Sequence, residues 1–259
     1  MLSLVFERAW GQLDDIVGLA TCYTHEIHDK VIVLGNKVDS RLSFLPYRTR
    51  FSKDYYPAKA ARIRREITFD TAIFLTLTID PKLFYSLKDA YVGVRKAWHN
   101  LASAMANDVK RGMTHVQSWD GRYFLAVEFQ EIGSPHLHVV LAGARYVDAN
   151  WVRSIWHVGT FVRMEQVHDN RRKVIGYVTK YMMKGAGYSP YGPSPHVALL
   201  WALNAQAFST SRRIFNGPSK SHCNRIESVW KYLGAFGEAV CSRWTNVGDV
   251  MRYQAGDGG

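Results

Sequence analysis

The spacing of apolar and polar positions changes along the chain, and each change marks an element. TAIFLTLTID (71–80) is a β-branched and apolar run stopped by Pro81, which predicts a buried strand. From Leu87 to Lys110 the spacing becomes helical, and Gly112 follows as the stop. RYFLAVEFQ (122–130) and HLHVVLA (136–142) predict two further strands with EIGSP as the turn between them. DANWVRSIWH (148–157) predicts a helix capped by Asp148, and TFVRMEQV (160–167) another strand. DNRRKVIGYVTKYMMKG predicts a helix capped by Asp169 or Asn170 and stopped by Gly185. GAGYSPYGPSP (185–195) is a linker or lid rich in turn formers. Residues 196–259 read as mainly helical, ending in a polar QAGDGG tail. Before the first strong strand lie an amphipathic N-terminal helix and a shorter strand, VIVLG.

The order strand, helix, hairpin, helix, strand, helix predicts an α+β fold: a central antiparallel β-sheet with helices packed on it. The expected division is an N-terminal basic and aromatic extension (1–65), a core (66–190) and a C-terminal, mainly helical extension (191–259).

Composition narrows the class. A chain of 259 residues with 47% hydrophobic content and eight Trp buries a core and is not disordered. No apolar run reaches transmembrane length, and Glu7 interrupts the N-terminus where a secretion signal would be apolar. Cys22, Cys223 and Cys241 make no disulfide framework, which suits a reducing compartment; the expected location is cytoplasmic. Charge changes the picture more. The net charge of +11 favours a polyanionic partner, and nucleic acid is the one expected. From Arg171 to Ile226 there is no acid but there are nine Lys or Arg, among them Arg171, Arg172, Lys180 and Lys184. Between Arg41 and Arg65 eight basic residues, including Arg62, Arg64 and Arg65, stand against Asp54. Phe44, Tyr47, Phe51, Tyr55 and Tyr56 are interleaved with them, as a single-strand stacking surface requires.

Two motifs carry candidate chemistry. In PHLHVVL (135–141), His136 and His138 point to one face of their strand, away from the apolar Leu137, Val139 and Leu141. A symmetric turn about EIGSP would set Gln130 opposite His136 and Glu128 opposite His138, so that two imidazoles and a carboxylate meet on one face. That is an open-sided, three-ligand metal site. Taken alone, the pair reads rather as a partly buried polar sheet face on which Glu128 hydrogen-bonds His138, because short motifs misfire often. The second motif, GYVTKYMMK (176–184), places Tyr177 and Tyr181 four apart on the predicted helix, beside Lys180 and Lys184. A phenol attacks at neutral pH only where nearby positive charge helps it ionise.

FLTLT (74–78), PHLHVVL and YVTKYMMK, in that order, resemble the three motifs of HUH-superfamily rolling-circle replication initiators. The resemblance is to the two-tyrosine branch of phage gene A-type proteins and related plasmid and archaeal-virus initiators. Conjugative relaxases carry their tyrosine before the histidines, unlike this chain. The resemblance implies an HUH/ferredoxin-like nuclease core, with His136, His138 and Glu128 as ligands of Mg²⁺ or Mn²⁺ and Glu131 as the fallback acid. It implies Tyr181 and Tyr177 as nucleophiles, with Lys180 and Lys184 contacting scissile phosphate or backbone. It further implies single-stranded origin DNA as partner, a 5′-phosphotyrosyl link and a free 3′-OH, in the host cytoplasm if the gene is viral. No Gly-x-x-x-x-Gly-Lys-Ser/Thr motif occurs, so helicase and polymerase would be host or separately encoded partners. A two-tyrosine single-strand transposase shares these motifs, and a non-catalytic DNA-binding protein shares the charge.

Overall fold

The computed structural model describes residues 2–52, 55–67, 69–130, 134–159, 161–168, 175–176, 179–180, 183, 188–189, 192–211, 214 and 230–255. The elements up to the central hairpin are α1 (Leu2–His28), β1 (Lys30–Asn36), β2 (Leu42–Pro46), α2 (Tyr55–Glu66), β3 (Thr71–Thr78), α3 (Leu87–Lys110), β4 (Val116–Gln117), β5 (Tyr123–Phe129) and β6 (Pro135–Ala142). There follow β7 (Tyr146–Val147), α4 (Ala149–Ile155), β8 (Val162–His168), β9 (Tyr188–Ser189), β10 (Gly192–Pro193), α5 (Pro195–Ala202), β11 (Phe208–Thr210), β12 (Trp230–Gly237), α6 (Glu238–Cys241) and α7 (Val247–Ala255). The chain forms two units: Met1–Ala20 with Lys53–Gly217, and Thr21–Ser52 with Pro218–Gly259.

The first unit is α+β, an antiparallel sheet packed by helices. Its five strands run in the order β11-β5-β6-β3-β8. Leu75 and Leu77 of β3, Leu125 and Val127 of β5, and Leu137, Val139 and Leu141 of β6 share one face, and all are buried. Full burial of a side chain of this size contributes about 1.5–3 kcal/mol. Helix α3 covers this face. Ser86 caps it, its Oγ accepting from the Asp89 N–H, and Gly112 just past its end takes φ 68°. Its buried stripe Ala90, Val94, Ala97, Trp98, Leu101 and Met105 has helical spacing, and Trp98 meets the Tyr123 ring edge-on at 5.0 Å. Helix α4 starts where Asp148 accepts from the Asn150 and Trp151 N–H groups, and after it the fully buried Trp156 donates its indole N–H to Thr78 O at 2.8 Å.

The hairpin register differs from the symmetric expectation. Gln130 N–H donates to Ser134 O, Phe129 opposes Pro135 and Glu128 opposes His136. Ala126, rather than Glu128, opposes His138. Pairs in an antiparallel ladder alternate between bonded and non-bonded, so the Gln130–Ser134 bond makes Phe129–Pro135 a pair that exchanges no backbone bonds. Proline, which has no N–H to donate, is thereby seated at the first residue of β6 without cost to the ladder. The shift is two residues, so every side chain keeps its expected face.

In the second unit β12, β1 and β2 form a three-stranded antiparallel sheet. Val33, Cys241 and Val250 make its core, with Leu233, Phe236 and Trp244 packed against them. Asn246 and Asp249 cap α7 reciprocally: Asp249 N–H donates to Asn246 Oδ1, and Asp249 Oδ2 accepts from the Asn246 N–H. Strands β11 and β12 both fall in the stretch that reads as mainly helical. No helix among the described residues is long and apolar enough to cross a membrane.

Candidate metal centre

Opposite the apolar face of the central sheet, the same three strands present Phe74, Thr76 and Thr78 from β3, Phe124, Ala126 and Glu128 from β5, and His136, His138 and Val140 from β6. The alternation that sends Leu137 into the core sends its two histidine neighbours here. This face is not open along its length. Phe124 stacks on Phe208 of β11 at 5.9 Å, Phe74 lies parallel to the His138 ring at 6.0 Å, and Glu128 and His138 are themselves buried. The polar groups gather toward one end of the face, and His136, partly exposed, stands at its rim.

The ligating atoms of Glu128, His136 and His138 all lie within 4.8 Å of one another. Among the described residues, no other group of three His, Cys, Asp or Glu side chains converges in this way. Glu128 reaches diagonally across the ladder, and its Oε2 accepts a hydrogen bond from His138 Nε2 at 2.7 Å. A buried carboxylate stands only where it is paired, and His138 supplies that partner. On the far side of the ring, Thr76 Oγ1 is 3.4 Å from His138 Nδ1. Thr78, directly opposite His136, and Ser134, two residues before it, hold hydroxyls buried without a hydrogen-bond partner among the described residues. Thr76, Thr78 and Ser134 were not singled out by the sequence reading. The signal for the two threonines is the alternation of FLTLT, which puts them on one face, and that face is known to be the histidines' only once β3 is seen to lie beside β6.

The donor set fits a divalent cation. Two imidazole nitrogens and one carboxylate oxygen leave positions for water or substrate oxygens, the arrangement of an open site.

The other candidate residues are distributed as follows. Tyr177, Tyr181, Lys184, Arg171, Arg172 and the fallback acid Glu131 lie outside the described residues. Lys180 is helical and exposed. Thr179, beside it, is fully buried, donates its hydroxyl to Ile175 O at 2.7 Å and accepts from Arg64 Nε at 3.1 Å. Arg64 therefore ties α2 to this helical segment. Arg62 and Arg65 both donate to Glu66, at 2.9 and 3.0 Å, and hold its carboxyl below the usual range, Arg62 most strongly.

Residues 72–186 match the family model of the replication-associated protein ORF2. The middle of this chain resembles a replication protein. The matched stretch contains β3, the β5–β6 hairpin with all three candidate ligands, and the helical segment around Thr179 and Lys180. A protein of Halorubrum pleomorphic virus 1, which carries the name Uncharacterized protein 1, is 27% identical over 194 residues. The alignment covers 63% of this chain and 37% of the viral protein, so the chain spans little more than a third of that relative's length. No solved structure matches the chain. The family match supports a replication-associated protein.

Proposed function

We propose that the protein initiates rolling-circle replication by nicking single-stranded origin DNA through a tyrosine, as the two-tyrosine HUH initiators it resembles do. The observation that carries this reading is the convergence of Glu128, His136 and His138 on one sheet face, inside the stretch that matches a replication-associated family. Glu128, His136 and His138 would hold Mn²⁺ or Mg²⁺, and the ion would supply Lewis-acid stabilisation of charge at the scissile phosphate.

Tyr181 attacks phosphorus in line. The Oη–P bond forms, the P–O3′ bond breaks, and the phenolic proton is accounted for by the 3′-OH that is released. The phosphotyrosyl link is itself a phosphodiester, so rejoining needs no ATP. Tyr177 serves the second cut, and Lys180 and Lys184 lower the cost of the phenolate and contact the backbone. Arg171, Arg172, Arg62, Arg64 and Arg65 contribute to DNA binding. Strand separation and synthesis fall to a host or separately encoded helicase and polymerase, in the host cytoplasm if the gene is viral.

The test incubates the full chain with single-stranded oligonucleotides from its own replicon and Mn²⁺ or Mg²⁺, and looks for a denaturation-resistant protein–DNA adduct. Tyr177→Phe and Tyr181→Phe should each leave some adduct, with Tyr181→Phe the weaker nickase, and the double variant none. No adduct from the wild type, or an adduct persisting in the double variant, overturns the reading. Peptide mapping to Tyr188 or Tyr191 would overturn the choice of nucleophile.

A further inference from the structure

The metal site occupies only part of its sheet face, and the register shows what lies beside it. Two rows of side chains cross the sheet there. One runs Glu128, His136, Thr78 and then Phe161, whose carbonyl accepts from the Thr78 N–H at 3.2 Å just before β8 begins. The next runs Ala126, His138, Thr76 and Arg163. Phe161 and Arg163 alternate with the buried Val162, so both belong to the face of the ligands. Each lies two strands from a histidine, about 10 Å at the usual strand spacing. Both are exposed, Phe161 at 55%, an unusual position for a phenylalanine on a sheet edge. His136, in the first of these rows, is partly exposed.

The approach to Phe161 is built. Trp156 donates to Thr78 O, Asp80 N–H donates to Val158 O, and Gly159 passes so close to Thr78 that a Cβ there would overlap the Thr78 carbonyl oxygen. The loop is thus zipped to the end of β3, and Phe161 is held beside the site. Arg163 is held as well, its guanidinium paired with Glu165 at 2.6 Å.

Resting on the proposed nicking activity, we infer that Phe161 and Arg163 seat the single-stranded DNA that flanks the phosphate at the metal site. Phe161 stacks on a base, and Arg163 turns from Glu165 to a neighbouring phosphate. The chemistry is that of a single-strand platform: an exposed aromatic face, which any base can use, beside a cation for the backbone. Charge supports this occupant, since the chain carries a net +11 and Lys180 is exposed in the same unit. Glu165 acts as a brake, because it competes for Arg163 and repels phosphate.

The test measures binding of the full chain to a fluorescein-labelled oligothymidylate by anisotropy across a salt series, with oligomeric state followed in parallel. Phe161→Ala should weaken binding about tenfold and Phe161→Trp should restore it, since stacking on one aromatic is worth a factor of this size. Arg163→Ala should weaken binding severalfold and reduce the salt slope by about 0.7, one phosphate contact on a single strand. Glu165→Gln should tighten binding. Thermal melts should stay at the wild-type value, because all three side chains are exposed. Wild-type binding with unchanged affinity in Phe161→Ala and Arg163→Ala overturns this inference alone. So does a change of oligomeric state in Phe161→Ala with DNA affinity intact, which would assign the face to a second copy. Failure of the wild type to bind single-stranded DNA at all overturns the nicking proposal itself.

Discussion

The two faces of the central sheet are made by the same three strands and do different work. Toward α3, the positions of β3 from Ile73 onward and those of β5 and β6 are all aliphatic or aromatic side chains. On the other face the row of Phe74, Val140 and Phe124 gives way within two residues to Thr76, His138 and Ala126, and then to Thr78, His136 and Glu128. Packing alone explains the first face. It does not explain the second, where a carboxylate and an imidazole are withdrawn from water next to aromatic rings. Burial of that kind costs stability unless the groups are paired, and it is sustained here by the apolar face on the other side of the same backbone. What separates fold from function in this molecule is therefore the parity of a residue along its strand.

The largest effect should come from the ligand face. Glu128→Gln keeps the size of the side chain and its hydrogen bond to His138 but removes the charge that would hold a cation. Nicking should fall on the order of a thousandfold or more, the scale expected when several kcal/mol of charge stabilisation are lost. Mn²⁺ should raise the melting temperature of the wild type, and in this variant that rise should vanish. The paired variant His136→Ala with His138→Ala should do the same. Any variant that removes His138 also strands the buried Glu128, at a cost of about 3–5 kcal/mol by itself, so His136→Ala alone, which leaves the Glu128–His138 bond in place, is the cleaner histidine probe. Nicking by the double histidine variant, or full activity in EDTA, would break the assignment of the ligand face.

Leu137 lies between the two histidines and points the other way, fully buried. Leu137→Ala should lower the unfolding free energy by about 2–5 kcal/mol, the usual cost of a large-to-small change in a packed core. Calorimetric Mn²⁺ affinity, measured well below the new melting point, should stay near the wild-type value. The contrast with Glu128→Gln is the useful measurement. If Leu137→Ala loses metal affinity while still folded, the two faces are coupled through the backbone and the separation by parity fails.

Much of this was readable from the sequence, and the reason is local. Strand β3, helix α3 with its Gly112 stop, the Asp148 cap and the β5–β6 hairpin all follow from patterns within a dozen residues. The facing of His136, His138 and Glu128 follows from alternation alone and survives a wrong register, because the error was an even number of residues. The register was not legible: turn length decides it, and symmetric closure about EIGSP counted two residues of the strands as turn. Thr76 and Phe161 were invisible as neighbours of the site, since nothing in FLTLT or TFVRMEQV says that β3 lies between β6 and β8. Distance along the chain hid the second unit for the same reason. Strand β12 pairs with β1 across nearly the whole sequence, joining Lys30 to Gly237, and a linear pass has no signal for such a pairing. The hydroxyl beside His138 shows how a residue overlooked in this way can matter.

The smallest effect expected is that of Thr76→Val, and it distinguishes a polar sheet face from a tuned metal site. Valine keeps the β-branched shape of threonine and its preference for strands, and Thr76 is only partly buried, so folding should change little. What is lost is Oγ1, at 3.4 Å from His138 Nδ1. When Nε2 of an imidazole binds metal, Nδ1 carries the ring proton and needs an acceptor, which fixes the ring and raises the basicity of the ligating nitrogen. Removing such a partner costs about 10–100-fold in metal affinity, and the length of this bond points to the lower end. Thr76→Val should therefore bind Mn²⁺ about tenfold more weakly, with Thr76→Ser close to wild type and all three proteins melting together without metal. If valine and serine bind Mn²⁺ equally, His138 is oriented by its stacking on Phe74 and its bond to Glu128, and the threonines of β3 belong to the sheet alone.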